Sequence, residues 1–266
     1  MKAAIYTPYL DTLGGGELYM LSIGRALIEA GWEVHIENKS PDLIANAAAR
    51  FDIDLSKINS IDSINRGEDY DACFWLSDGS IPLLRSRNNI LHFQRPFQKV
   101  DGKSLLNRMK FYRIKNVIVN SNFTKSWIDK EYPVKSVVIY PPVNTTKFRP
   151  KRKEKIILYI GRFSQLEQNK NQDVLLDVFT KFRKSNPDWK LVLAGGTEVG
   201  RTKFVDELKE KSKGKSVEII ESPKFETLKD LFGRASIFWS AAGFGVDEAI
   251  EPQKVEHFGI TVVEAM

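Results

Sequence analysis

Ile156-Ile157-Leu158-Tyr159-Ile160 is the stretch that decides the fold class of this chain. A short, uninterrupted apolar run of this kind is typical of a strand that is buried on both faces of a sheet. A helix is predicted next, over 171–184, because apolar residues recur there at spacings of three and four. A buried strand followed by an amphipathic helix is the repeating unit of a parallel sheet with helical crossovers.

The same alternation of strand and helix patterns runs along the whole sequence. One of the predicted helices covers 17–30 and ends at Gly31, a residue type that is common just after helix C termini. The predicted strands are 2–7, 33–37, 71–76, 90–94, 116–120, 136–140, 155–160, 190–194, 217–220 and 236–240. The sequence therefore predicts an α/β protein built on parallel sheets.

A boundary between two domains is expected near residues 141–154. Pro141-Pro142 ends one predicted strand, and Pro150 and a charged run follow before the strand at Ile156. We predict two doubly wound, Rossmann-like domains that face a cleft, at 1–146 and 152–266. The second has only about four predicted strands, which is few for a sheet of this kind, so we expect it to be incomplete.

Composition and charge limit the possible functions. The chain has 266 residues, 42% of them hydrophobic and 28% charged, as in ordinary globular proteins. Its single cysteine, Cys73, excludes an internal disulfide, and no apolar run approaches the ~20 residues of a membrane-spanning helix. Because no export signal follows Lys2, we expect a cytoplasmic protein. A net charge of +6 favours an anionic partner, although no nucleic-acid recognition motif accompanies it.

The positive charge is concentrated in one segment. From Arg95 to Lys115 the sequence contains seven cations and one acid, Asp101, and 99–115 interleaves these cations with apolar residues. This pattern is typical of a helix that lies on an anionic membrane, which would place the protein at the inner face of that membrane. A helix that packs within the domain and exposes a basic face fits the pattern equally well.

A glycine turn follows the first predicted strand. Gly14-Gly15-Gly16-Glu17 opens the first predicted helix, where glycines let the backbone approach a diphosphate and the helix N terminus attracts anions. The spacing differs from the G-x-G-x-x-G fingerprint of dinucleotide-binding proteins, which disfavours an NAD-dependent enzyme. A strand-to-helix turn without a ligand remains an alternative.

Two cations stand where ligands of open α/β sheets bind. Arg162 follows the strand that ends at Ile160, and Lys170 precedes the next helix. An arginine and a lysine at the carboxyl end of a strand can neutralise a diphosphate, the arginine by bidentate contact and the lysine as a point charge. A pair of solvated surface cations is the alternative on spacing alone.

The last eleven residues combine two acids with a turn. Glu256 precedes His257-Phe258-Gly259, and Glu264 lies one turn into the helix that follows. Such an arrangement can hold a sugar and a ribose. Two alternatives remain open: Thr261-x-x-Glu264 fits a capping box, in which the glutamate only satisfies the helix backbone, and Glu256 could be a solvated loop acid.

Together these pieces resemble the retaining GT-B glycosyltransferases of family 4, and the likeness runs along most of the chain. Its most specific part is the E-x7-E motif with a His-Phe-Gly centre. The matching segments are Gly14-Gly15-Gly16-Glu17, Val119-Asn120-Ser121-Asn122-Phe123-Thr124, Tyr140-Pro141-Pro142-Val143, Gly161-Arg162-Phe163 with Lys170, and Glu256-His257-Phe258-Gly259 through Glu264.

The resemblance implies a role for each matching residue. Arg162 and Lys170 would hold the diphosphate of the donor, and Glu264 its ribose. Glu256 would bind the transferred sugar together with backbone N–H groups. These N–H groups belong to Phe258, Gly259 and Ile260, and Gly15 and Gly16 would close over the phosphates.

His92 matches a position where the family often has a histidine that faces donor and acceptor; a hydrogen-bonded structural histidine is the alternative. His35 and His257 are interpreted as structural. The chain departs from the family in two places. The loop 164–171 is longer than usual and lacks the expected glutamate before Lys170, and the chain stops inside a predicted helix, so we expect a C-terminal truncation.

The implied reaction transfers a hexose from a UDP- or GDP-sugar, with GDP-mannose favoured, to a hydroxyl of a glycan or lipid-linked acceptor, with retention at the anomeric carbon. No Asp-x-Asp stands beside these elements, so no metal or other cofactor is expected. The alternatives are a catalytically silent fragment that binds nucleotide sugars and a GT-B sugar-nucleotide epimerase.

Overall fold

The computed structural model describes residues 1–8, 10–12, 14–40, 42–164, 168–197 and 203–266. The chain divides into two compact units, Met1–Pro142 and Val143–Met266.

The first unit contains a seven-stranded sheet. Its strands are β1 (Lys2–Tyr6), β2 (Glu33–Glu37), β3 (Ile58–Ile61), β4 (Ala72–Leu76), β5 (Asn88–Phe93), β6 (Ile114–Val119) and β7 (Val137–Val138). The spatial order is β3-β2-β1-β4-β5-β6-β7, and every adjacent pair is parallel. The order reverses between β1 and β4, which is the point where open α/β sheets bind ligands.

Four helices belong to this unit: α1 (Gly15–Glu29), α2 (Asp42–Phe51), α3 (Leu105–Phe111) and α4 (Asn122–Glu131). Short 3-10 turns lie at Leu10–Thr12 and Asn65–Gly67. Alternate residues of the strands enter two cores on opposite faces of the sheet. One core includes Ile5, Met20, Leu21, Val34, Ile90 and Ile118. The other includes Leu91, Phe93, Val117, Val119 and Ile128.

Two features of the first unit differ from the sequence-based expectations. Strand β3 was not predicted, because its sequence, Ile-Asn-Ser-Ile, interrupts the apolar run with two polar residues at the edge of the sheet. The helix expected in 99–115 is limited to α3. Lys99 and Asp101 adopt positive φ angles before it, and β6 already begins at Ile114.

The second unit contains a four-stranded parallel sheet. Its strands are β8 (Glu154–Ile160), β9 (Lys190–Gly195), β10 (Val217–Glu221) and β11 (Ala235–Phe238), in the spatial order β10-β9-β8-β11. Its helices are α5 (Gln172–Phe182), α6 (Lys203–Ser212), α7 (Phe225–Arg234) and α8 (Ile260–Ala265), with a 3-10 turn at Pro252–Lys254. Here the strand order reverses between β8 and β11.

The apolar run from Ile156 to Ile160 lies in β8, one of the two inner strands of this sheet. Ile157 and Tyr159 face one core with Leu176 and Phe179 of α5. Ile156, Leu158 and Ile160 face the other core, together with Leu231 of α7. The predicted α/β fold with two parallel, Rossmann-like sheets is therefore confirmed. Within the described ranges, every helix is too short or too polar to cross a bilayer.

Candidate functional site

An ion pair between Lys170 and Glu256 lies beside the carboxyl end of β8. The Lys170 Nζ atom is 2.8 Å from Oε2 of Glu256, although the two residues are 86 positions apart in the sequence. The lysine side chain is 15% exposed and the glutamate side chain 34% exposed. Because both groups are partly shielded from water, their attraction is screened less than that of a surface pair. The fold thus joins two of the residues predicted to act on the donor.

Gln168 links the two segments that carry this ion pair. Its Oε1 atom accepts a hydrogen bond from Lys170 Nζ at 3.0 Å. Its Nε2 atom donates to the carbonyl of Val255, the residue before Glu256, at 2.6 Å. The sequence alone does not predict this residue, because a glutamine in a loop carries no motif. The loop 164–171 lies partly outside the described residues, at Gln165, Leu166 and Glu167.

The start of α5 connects the ends of β8 and β11. Asn171 adopts a left-handed conformation with φ 52°, and its Nδ2 atom donates to the carbonyl of Ala241 at 2.8 Å. The buried side chain of Gln172 donates from Nε2 to the carbonyl of Arg162 at 2.9 Å. Since β8 and β11 are the neighbours at which the strand order reverses, these bonds place Lys170 at the expected binding edge of the sheet.

The backbone of Arg162 is fixed by close packing of its neighbour Gly161, whereas its side chain is not held by any residue that the structure describes. A Cβ atom on Gly195 would lie 1.9 Å from the carbonyl oxygen of Gly161, so the two backbones approach as closely as only glycine allows. The Arg162 side chain is exposed, and within the described part of the chain it has no ion pair with a carboxylate. The structure therefore brings Lys170 and Glu256 together but leaves the Arg162 guanidinium outside that pair.

Tyr159 adds a buried phenol close to the same edge. Its hydroxyl would be 2.2 Å from a Cβ atom on Gly161. Burial raises the pKa of Tyr159, and the negative charge of Glu256 raises it further. The phenol therefore stays protonated and neutral beside the glutamate.

The turn before α8 requires a glycine. Gly259 is the N-cap of α8, with φ 78° and ψ 59°, a left-handed conformation that residues with a Cβ atom rarely adopt. A Cβ atom at Gly259 would also lie 3.3 Å from Cγ of Glu256. Its carbonyl accepts hydrogen bonds from the N–H groups of Val262 and Val263. Phe258 and Ile260 flank this turn and are partly buried.

The capping-box interpretation of Glu264 is wrong. In a capping box Thr261 would be the N-cap, whereas the helix already begins at Ile260 after Gly259. Thr261 is thus inside the first turn, and Glu264 lies near the end of the six-residue helix, partly buried. The structure therefore excludes the capping-box role of Glu264, and binding of a ribose by this residue stays a prediction.

In the first unit, the glycine turn is held by two side chains. Glu17 accepts a hydrogen bond from the N–H of Gly14 at 2.8 Å, so a buried carboxylate already lies at the start of α1. Gln94, which follows β5, donates from Nε2 to the carbonyl of Gly16 at 3.1 Å. A Cβ atom on Gly16 would lie 2.7 Å from Oε1 of Gln94. Packing against Gln94 therefore explains the glycine at position 16, and Gly15 is the first residue of α1.

His92 lies in β5 and is completely buried. Its ring stacks on Tyr19 of α1, with centroids 4.2 Å apart, and its Nδ1 atom is 3.2 Å from the carbonyl of Ile118. Burial lowers the pKa of His92 to about 3, so the ring is neutral at physiological pH. No partner for its Nε2 atom is found in the described ranges. Because the ring is completely buried, it offers no surface to a substrate in this conformation.

The other two histidines have hydrogen-bond partners within their own unit. His35 contacts the hydroxyl of Tyr70 and a carboxylate oxygen of Glu33, each at 2.8 Å. The Nε2 atom of His257 is 3.2 Å from the carbonyl of Pro252. Among the residues that the structure describes, no group of three or more His, Cys, Asp or Glu side chains could hold a metal ion.

Comparison with known proteins relates the second unit to a family of transferases. Residues 143–266 match the family model described as Glycosyl transferases group 1. The matched range coincides with the Val143–Met266 unit and contains the Lys170–Glu256 pair, so this unit is similar to glycosyl transferases group 1 domains. The chain is also 26% identical, over 196 residues, to the lipopolysaccharide core biosynthesis mannosyltransferase LpsB of Rhizobium meliloti (strain 1021). That match covers 69% of this chain and 51% of the relative, so the chain spans about half the length of this curated relative.

Solved structures share the fold. An alpha-glucosyltransferase in complex with UDP and a 13-mer DNA matches 90% of this chain with 71% of its own, at a TM-score of 0.58 and 14% identity. A UDP-N-acetylglucosamine 2-epimerase matches 89% of this chain with 72% of its own, at a TM-score of 0.50 and 10% identity. At these identities the likeness establishes the arrangement of sheets and helices only. The chemistry has to be inferred from the residues of the site.

Proposed function

We propose that this chain carries out the transfer step of a retaining glycosyltransferase. In this proposal it moves a hexose from a UDP- or GDP-sugar, with GDP-mannose favoured, to a hydroxyl of a glycan or lipid-linked acceptor. The observation that carries the proposal is the Lys170–Glu256 ion pair, held by Gln168 at the edge of a unit that matches the glycosyl transferases group 1 family. The mannosyltransferase relative supports mannose as the sugar.

The proposed chemistry is electrostatic. The departing nucleoside diphosphate develops negative charge, and Lys170 and Arg162 are the cations that stabilise it. The exposed guanidinium of Arg162 is free to turn towards the diphosphate, and its planar form allows bidentate contact. Lys170 then shares its charge between the phosphate and Glu256. The carboxylate of Glu256 accepts hydrogen bonds from hydroxyl groups of the sugar.

The turn at Gly259 supplies the remaining contacts of the proposal. Glu264 binds the ribose of the nucleotide, and the N–H groups of Phe258, Gly259 and Ile260 bind the sugar and its phosphate. The left-handed conformation of Gly259 supports this assignment, because it ends the loop after Glu256 and turns the chain into α8. The roles of Gly15, Gly16 and His92 in the first unit stay predictions.

A reaction of this kind needs no metal, because lysine and arginine neutralise the diphosphate. We therefore expect transfer rates to be unchanged after dialysis against EDTA. A loss of activity that Mn²⁺ or Mg²⁺ restores would contradict this part of the proposal.

The acceptor is proposed to be a glycan or a lipid-linked glycan at the inner face of a membrane. Two observations support it. The relative is a transferase of lipopolysaccharide core biosynthesis, and the basic segment 99–115 exposes apolar side chains. The site of action is then the cytoplasm, with peripheral contact to the membrane.

Incubation with a panel of UDP-, GDP- and ADP-sugars tests the proposal. Release of a nucleoside diphosphate, or transfer to an added acceptor, supports it. The matched pair of variants is Lys170→Met, which removes the cation of the site, and Lys181→Met, which removes an exposed lysine of α5. Only the first should abolish turnover. Equal turnover in both variants would contradict the role of Lys170.

The second candidate is a GT-B sugar-nucleotide epimerase, favoured by the likeness to the UDP-N-acetylglucosamine 2-epimerase fold. The same panel separates the candidates, because an epimerase inverts C2 of the sugar without releasing the nucleotide. Saturable binding of a nucleotide sugar without turnover would instead indicate a silent binding fragment.

A further inference from the structure

Helix α3 exposes apolar side chains to an unusual degree. Leu105 is 77% exposed, Leu106 62% and Met109 66%, and Tyr112, the residue that ends the helix, is 95% exposed. Exposed hydrophobic residues are normally scattered singly over a protein surface. Four of them within eight residues form one patch, which we call the α3 patch.

The helix geometry places the patch on one side. Leu105, Met109 and Tyr112 recur at spacings of four and three, so they share one face of the helix. Phe111 points the other way. It is buried and its ring lies 5.9 Å from that of Tyr132, which anchors the helix to the first unit. The α3 patch therefore faces away from the core.

Cations border the patch on both sides. Successive helix residues are rotated by about 100°, so Arg108 and Lys110 flank the apolar stripe, and Lys103 precedes the helix. Across the described ranges, none of these three cations forms an ion pair with a carboxylate. By contrast, Arg85 and Arg87 in the same unit each pair with an acid. The border of the patch therefore keeps its positive charge.

We infer that the α3 patch docks the first unit onto an anionic lipid bilayer. Leu105 and Met109 enter the boundary between headgroups and acyl chains, with Leu106 at its side. Tyr112 lies at the level of the headgroups, and the flanking cations bind lipid phosphates. The helix is far too short to span the membrane and lies in its surface. This inference rests on the proposed function for its purpose, since it brings the enzyme to a lipid-linked acceptor.

The size of the patch favours a bilayer over a folded partner. A stable protein–protein interface needs roughly 20–30 residues on each side, whereas the α3 patch consists of about two turns of helix. A bilayer requires no complementary shape. A few inserted apolar side chains and several cations act there together, because each Lys or Arg near an anionic surface strengthens binding about fivefold.

Vesicle co-sedimentation of the full chain tests the inference. The probe is vesicles of phosphatidylglycerol and phosphatidylcholine, compared with vesicles of phosphatidylcholine alone. We expect binding to the anionic vesicles only, weakened by added salt. The variant Leu105→Ser/Met109→Ser/Tyr112→Ser changes exposed side chains and should lose binding at least tenfold. The variant Lys103→Gln/Arg108→Gln/Lys110→Gln should lose it to the same degree. Arg113 is left unchanged, because its Nε atom donates to the carbonyl of Leu84 in a partly buried bond. The bond from Arg108 Nε to the carbonyl of Lys103 is exposed, so its loss should cost little stability.

The matched control is Lys181→Gln/Lys184→Gln/Lys211→Gln, which removes the same charge from exposed positions of the second unit. This control should bind the vesicles as the unchanged chain does. Equal loss in the control and in the α3 variant would show that net charge alone attracts the protein, and would overturn the docking site. Failure of the unchanged chain to bind, or a dimer that the serine variant dissolves, would overturn it as well.

Release of nucleoside diphosphate without vesicles separates this inference from the proposed function. The serine and glutamine variants of α3 should retain that release in full. A chain that binds vesicles through α3 but turns over no donor would contradict the transferase proposal and leave the docking surface standing.

Discussion

Replacing Gly16 by alanine, with and without Gln94, tests why the first helix begins with glycines. The new Cβ atom would lie 2.7 Å from Oε1 of Gln94 and 3.4 Å from its Cδ. The amide therefore has to move, and its 3.1 Å bond to the carbonyl of Gly16 is lost. That loss costs about 0.5–1.5 kcal/mol, and an off-rotamer Gln94 costs about as much again. Against these costs, alanine stabilises a helix by up to about 1 kcal/mol relative to glycine. We expect Gly16→Ala to destabilise the chain by about 1 kcal/mol.

The sign should reverse when Gln94 is already absent. In a Gln94→Ala background there is no amide to displace and no hydrogen bond to lose, so Gly16→Ala should stabilise by about 0.5 kcal/mol. The coupling energy of the double-mutant cycle is then about 1.5 kcal/mol. Thermal unfolding of the four proteins measures it, at roughly 2–4 °C per kcal/mol for units of this size. Equal destabilisation by Gly16→Ala in both backgrounds would refute the packing explanation.

The same four proteins test the donor-binding role predicted for Gly16. If a diphosphate approaches the backbone there, the methyl group should raise the donor KM severalfold in the double variant, although its stability has recovered. A KM equal to that of Gln94→Ala alone would contradict this role.

Three further predictions follow from single contacts. Because the pKa of His92 is about 3 in the folded chain and 6.5 as a free side chain, the unfolded chain binds more protons between these values. Stability should then fall by about 1.4 kcal/mol from pH 7.5 to 5.5 in urea titrations, and His92→Phe should remove that dependence. Gln168→Ala should lower kcat/KM for the donor about tenfold, which corresponds to about 1.4 kcal/mol in the activation free energy. Gln168→Glu should lower kcat/KM as well, since a carboxylate cannot donate to the carbonyl of Val255. Gly195→Ala should destabilise by more than about 3 kcal/mol in thermal unfolding, whereas Gly214→Ala, at an open position with φ 71°, should cost only about 1–2 kcal/mol.

The sequence was most informative where burial was complete. The apolar runs of β8 and β9 have one physical interpretation, because a strand covered on both faces tolerates few polar residues. Strand β3 was missed because it lies at the edge of its sheet, where Asn59 and Ser60 face partly open surroundings. The segment 99–115 misled for a related reason. Its mixture of cations and apolar residues resembles a long surface helix, but residues with positive φ angles limit that helix to α3.

For the candidate site, the sequence predicted which residues matter but not how they are held. Lys170 and Glu256 were both predicted, and only the fold could show that they form an ion pair. Gln168, which positions them, carries no signal in a single sequence, because one of its two hydrogen bonds reaches Lys170 in the same loop and the other reaches Val255, 87 positions away. The helix start at Ile260 depends on the left-handed Gly259, which removed the capping-box alternative for Glu264.

Exchanging the charges of Lys170 and Glu256 tests the central claim most directly. Lys170→Glu and Glu256→Lys should each destabilise the second unit, because each places two like charges about 3 Å apart, as judged from the 2.8 Å pair. The double variant re-forms an ion pair in the reverse direction. We predict that its melting temperature returns to that of the unchanged chain, while donor turnover stays at least about 100-fold lower, because the diphosphate has lost one of its two cations and Arg162 alone remains. Recovery of both stability and turnover in the double variant would mean that the ion pair is only structural, and would contradict the proposed function.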